Sequence, residues 1–110
     1  MTYAEMFSKV KGMFMGADVS DVTEHLAYPF NVTGEAEGIF YVEVKDGRLN
    51  VEPYEYYDKD AVFTCSAETL FKIAEGKKDP ILAVTLGQLK VEGNIDKALK
   101  LKTLIESKKV

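Results

Sequence analysis

The chain has 110 residues, 46% hydrophobic and 29% charged, with a formal net charge of −4. That length buries one core, so residues 1–110 are expected to form a single domain, and the apolar fraction excludes intrinsic disorder. No apolar run approaches the roughly 20 residues of a membrane helix, and a lone cysteine excludes an internal disulfide and fits a reducing, cytoplasmic setting.

The N-terminal segment, MTYAEMFSKVKG, threads acids and lysines through its apolar positions and does not read as a signal peptide. Helical periodicity over Tyr3 to Met15 places Tyr3, Met6, Phe7, Val10, Met13 and Phe14 on one arc, with Gly16 as terminator. Its three methionines suit either core packing or the wall of an irregular ligand. A second short helix is expected from Asp18 to Leu26, capped by Asp18 or Ser20, with His25 at its end as a surface or cap residue.

Tyr28, Phe30 and Val32 alternate with Pro29, Asn31 and Thr33 as in a half-buried strand, and Pro29 suggests that this strand begins at a sheet edge. A hairpin should follow, Gly38 to Lys45 and Arg48 to Pro53, about Asp46-Gly47, the pair that suits a type I′ turn. This register pairs Val44 with Leu49, Val42 with Val51 and Phe40 with Pro53 on a core face. Glu43 with Asn50 and Tyr41 with Glu52 fall on a face left largely to water. Tyr54, Tyr56 and Tyr57 in the next connection either clamp it to the sheet or rim a pocket.

Ala61 to Cys65 reads as a strand with Ala61, Phe63 and Cys65 on one side, Cys65 being a small buried hydrophobe. Ser66 caps a helix that ends before Gly76. Asp79 and Pro80 open a second helix that ends at Gly87, and Gln88 to Glu92 forms a strand with Leu89 and Val91 on one face. Asn94 caps the last helix. These three helices are more apolar than one buried face requires: Ile81, Leu82, Ala83, Val84 and Leu86 nearly encircle the middle one. Each therefore needs a partner on two sides, a helix, a second chain or a bound apolar molecule.

Charge is uneven. Residues 1–78 carry −6 and residues 79–110 carry +2, with Lys97, Lys100, Lys102, Lys108 and Lys109 on or after the last helix. Those lysines form either a solvated helix end or a site of transient contact with an anionic membrane. Nucleic acid is not expected as a partner, since the acidic body repels phosphate. No phosphate-binding glycine loop, metal-ligand spacing or nucleophilic arrangement occurs, so neither catalysis nor a cofactor is expected.

The run S-x-x-x-L-x-x-I-A-x-G-x-x-D-P-x-x-A-x-x-x-G-x-L-K-V-x-G-N-x-x-x-A-x-x-L, from Ser66 to Leu101, resembles the signature of the sterol carrier protein type-2 family. Phe30, Val32 and Gly34, and the stretch from Asp60 to Ser66, extend the likeness upstream. The resemblance implies an α/β (α+β) domain with a five-stranded, mainly antiparallel twisted sheet and helices covering one face. It also implies an apolar tunnel between the two layers for sterols, fatty acyl chains or acyl-CoA. Periodicity, not the signature, selects Phe7, Met13, Phe40, Phe71, Leu82, Leu86, Leu99 and Leu104 as its walls. The rival reading is a structural or interaction module with a filled core. Neither fixes an oligomeric state.

Overall fold

The computed structural model describes residues 1–20, 22–54 and 60–106. Helix α1 spans Tyr3–Phe14, opened by a reciprocal cap: Thr2 accepts from the Glu5 backbone N–H, and Glu5 accepts from that of Thr2. Strands β1 (Leu26–Thr33), β2 (Gly38–Lys45), β3 (Arg48–Glu52) and β4 (Ala61–Ser66) follow. Helices α2 (Ala67–Ala74) and α3 (Pro80–Thr85), strand β5 (Lys90–Gly93) and helix α4 (Ile95–Glu106) complete the order. The strands form one sheet in the order β3-β2-β1-β4-β5; every pairing is antiparallel except β1 with β4. The sheet is thus mixed, as an α+β domain with a chiefly antiparallel sheet.

The hairpin register is the expected one from Lys45 with Arg48 through Tyr41 with Glu52; β3 ends at Glu52, so Phe40 has no Pro53 partner in the ladder. Asp46 and Gly47 both take positive φ, 53° and 72°, as a type I′ turn requires.

Two expectations are corrected. Residues 18–25 form no helix where they are described. Asp18 accepts from the Ser20 N–H and hydroxyl, a local turn that competes with helix, and the chain joins β1 at Leu26, opposite Val44. Nor does Pro29 mark an edge, because β1 is the central strand. The backbone of Ala27 bonds Asp60 on the β4 side, so two-residue alternation turns the proline nitrogen the same way. The β2 ladder loses nothing, and the β4 ladder starts only at Phe30.

Strand β5 starts later than expected because the N–H groups of Gln88 and Leu89 both bond the Ala83 carbonyl, closing the turn after α3 instead of joining the sheet.

Register builds the core. Phe30 lies opposite Phe40 on one side and Phe63 on the other, and its ring stacks on both with centroids 5.0 Å apart. Phe14 of α1 and Tyr28 close on this row. Met6, Val10, Leu70 and Ile73 bring α1 and α2 onto it, so the layer beneath these two helices is filled with side chains.

At the opposite edge Gly93 has φ +106°, and a Cβ there would sit 2.7 Å from the Asp60 carbonyl oxygen. Gly93→Ala should therefore cost about 1–3 kcal/mol in urea unfolding through backbone strain. An unchanged midpoint would show that the β5–α4 junction is looser than described.

Candidate ligand-binding site

Asp60, just before β4, ties three elements together. Its carboxylate accepts from the Ala27 N–H at 2.8 Å and from Lys97 Nζ at 2.9 Å, and its carbonyl accepts from the Asn94 N–H at 2.8 Å. The Tyr28 hydroxyl donates to the Lys97 carbonyl at 2.6 Å. Burial, then the charges of Asp60 and Glu24, raise the Tyr28 pKa well above its ordinary value, so this donor keeps its proton. Asn94 caps α4 by accepting from the Lys97 N–H. The first turn of α4 is thus anchored at the sheet edge.

So held, α4 stands apart from α3, and between them runs an apolar groove of about 200 Å³. Phe63, Leu89 and Val91 of the β4–β5 edge form its floor, Ile81 and Val84 of α3 one wall, and Ile95 and Leu99 of α4 the other. Lys102 stands at the rim, joined to Asp79, the N-cap of α3. The Ile81 N–H and Lys102 together lower the Asp79 pKa, in that order. Aliphatic walls and one cation at the rim suit an apolar ligand with an anionic end.

The eight expected wall residues fall in different places. Leu99 lines the groove. Leu104 lines a second, more polar hollow of about 520 Å³ between α4 and residues 18–26, with Asp18, Glu24 and Lys100. Phe40 is fully buried in the ring row, with Phe7 packed edge-on against it. Met13 and Phe71 are half-buried against the core, Phe71 beneath Lys9 Nζ. Leu82 and Leu86 lie on the outer side of α3 and do not line the groove. The groove's Ile81, Val84 and Ile95 were legible as excess apolarity, but a helix of six residues is too short for periodicity to say which side faces the cavity.

The remaining titratable groups do structural work. Glu43, expected at the watery face of the hairpin, is only 8% exposed, and its carboxylate lies 2.8 Å from His25 Nε2. Lys97, Lys100 and Lys102 of α4 pair with Asp60, Glu24 and Asp79. Tyr54 is exposed; Tyr56 and Tyr57, like Lys108 and Lys109, lie outside the described residues. Among the described residues no group of three His, Cys, Asp or Glu is arranged to hold a metal ion, and no helix is long and apolar enough to cross a membrane.

The sequence matches the SCP-2 sterol transfer family over residues 9–106. It is 30% identical over 105 residues to hydroxysteroid dehydrogenase-like protein 2 of Danio rerio, covering 93% of this chain and 24% of that protein. The chain thus spans about a quarter of that relative's length. Sterol carrier protein 2 of Arabidopsis thaliana is 31% identical over 86 residues, covering 73% of this chain and 70% of that one. The solution structure of palmitated SCP2L2 from Aedes aegypti superimposes with a TM-score of 0.67, covering 96% and 95% of the two chains at 18% identity, a likeness of fold.

Cys65 offers a direct check on the core. Burial pushes its thiol up to about 12, so only about one in ten thousand would be thiolate at pH 8. The native protein should stay unreactive toward Ellman's reagent at that pH and titrate one thiol on denaturation. Because the folded pKa is the higher one, the contribution of this site to stability is complete below about pH 9 and is lost as pH rises toward 12. Rapid native labelling at pH 8 would contradict that burial.

Proposed function

As the chain belongs to the SCP-2 sterol transfer family, whose members are described by sterol or lipid binding and transfer, we propose that it carries apolar lipid in the groove between α3, β5 and α4 without transforming it. The observation that supports this most is the groove itself: Ile81, Val84, Ile95 and Leu99 are about half exposed around a floor of Phe63, Leu89 and Val91. Aliphatic side chains in such numbers stay facing a cleft at a cost that a bound chain removes.

Ligand class follows from the lining. Sterol, fatty acyl and other apolar chains all meet the aliphatic walls, and a carboxylate head can reach Lys102 at the rim. Each methylene taken from water contributes about 0.8 kcal/mol, so about ten buried methylenes supply the about 8 kcal/mol of a micromolar complex before ordering costs. With one charged contact at the rim, selectivity should rest on length and shape.

Carriage without transformation is the reading we propose for a groove whose neighbouring polar groups serve the fold. Asp60 and Lys97 hold α4 in place, Cys65 is protonated and buried, and the groove is lined by aliphatic side chains. A second reading, an interaction module within a larger protein, draws on the filled layer beneath α1 and α2 and on the chain's spanning a quarter of one relative.

Delipidated protein titrated with a fluorescent fatty acid should saturate with a micromolar Kd. Val84→Glu and Leu99→Glu each place a carboxylate in the groove from a half-exposed position, so each should weaken binding at least tenfold, about 1.4 kcal/mol, with little change in unfolding midpoint. No saturable binding by the parent would leave the interaction module as the better reading. Equal affinity in both variants would place the ligand elsewhere.

A further inference from the structure

Outside the groove α3 keeps a second apolar face. Leu82 and Leu86, one turn apart, are 52% and 59% exposed, among the most exposed large aliphatic side chains of the described residues. Neither lines the groove, and the one fully buried residue of the helix is Ala83. With Ile81 and Val84 turned toward the groove mouth, four of six consecutive positions from 81 to 86 present aliphatic surface to solvent. α3 is therefore an apolar ridge standing beside the opening of the groove.

The ridge is set in the positive part of a negative molecule. Residues 77–105 hold six lysines and three acidic residues, whereas residues 1–76 hold six basic and fourteen acidic ones. Lys77 and Lys78 precede α3, Lys90 follows it, and Lys102 stands against its N-cap. Lys78 bonds a neutral partner, Gln88. Lys77, Lys90 and Lys102 pair with Glu75, Glu92 and Asp79 at the surface, where such pairs are weak and readily exchanged for another anion. An anionic plane would attract this side of the protein and repel the opposite one, turning the ridge toward it.

We infer that α3 is the membrane-docking element: Leu82 and Leu86 insert among the headgroups of an anionic bilayer while the lysines around the helix meet lipid phosphates. Apolar insertion flanked by lysines is the usual means by which short amphipathic elements lie on such a surface. This moves the membrane contact expected at the last helix to α3, since Lys97 and Lys100 of α4 reach away to Asp60 and Glu24, whereas Lys102 stands beside α3 at Asp79. It also sets the mouth of the groove at the membrane plane.

Co-sedimentation of the full chain with phosphatidylcholine vesicles, with and without phosphatidylglycerol, tests it. The protein should bind the anionic vesicles at least tenfold more strongly than the neutral ones, and the difference should collapse at high salt. The double variant Leu82→Glu/Leu86→Glu should lose at least tenfold of that binding while keeping its fold by circular dichroism and the parental affinity for a fluorescent fatty acid. Vesicle binding unchanged in the double variant, or indifferent to anionic lipid, would overturn the inference. So would a concentration-dependent dimer that the double variant abolishes, which would give the ridge to a second copy. Because neither leucine lines the groove, failure here would leave the lipid-carrying role standing.

Discussion

Asp60 ties together three elements that lie far apart in the sequence. It precedes β4, yet its backbone and side chain meet Ala27 on β1, Asn94 in the turn after β5 and Lys97 in the first turn of α4. Each of these partners is a backbone N–H that the fold must otherwise satisfy with water, or a charge that the half-buried carboxylate needs. A single residue thereby sets the spacing of the β1–β4 pair and the point from which α4 departs. Gly93 is the corollary: the chain passes so close to the Asp60 carbonyl that only a residue without Cβ fits.

From that anchor the division of the molecule into a filled side and an open side follows. Over β2, β1 and β4 the facing phenylalanines stack directly, and α1 and α2 close on them with large side chains. Near β5 the sheet is only four residues deep, and α4 is held at its base by polar bonds while Leu101, Leu104 and Ile105 farther along it pack into the core. The space left between α3 and α4 is apolar because both helices carry more aliphatic surface than the floor can cover. The groove described here therefore opens at the sheet edge, where α3 and α4 flank β5.

The parts read correctly from the residues are those where local chemistry decides. Asp46-Gly47 dictates the hairpin register, Ser66, Asp79 and Asn94 cap their helices, and strict alternation places Phe30, Phe63 and Cys65 inward. What failed depends on tertiary neighbours. Asp18 and Ser20 serve a turn as readily as a cap, and only the pull of Leu26 into the β1 ladder decides between them. Pro29 looks like an edge residue until both neighbours of β1 are known. For the site, the excess apolarity of α3 and α4 was visible, but Leu82 and Leu86 carry the same sequence signal as Ile81 and Val84, and only the position of α4 separates groove from outer face.

The central claim is that ligand occupies the α3–β5–α4 groove, and isotope-filtered nuclear Overhauser spectroscopy on labelled protein with unlabelled palmitate tests it most directly. Contacts from the acyl chain to the methyl groups of Ile81, Val84, Ile95 and Leu99, with the rings of Phe14, Phe30 and Phe40 silent, are the expected result. Contacts centred on those three rings would mean that the aromatic layer opens to admit the chain, and the groove would lose its role.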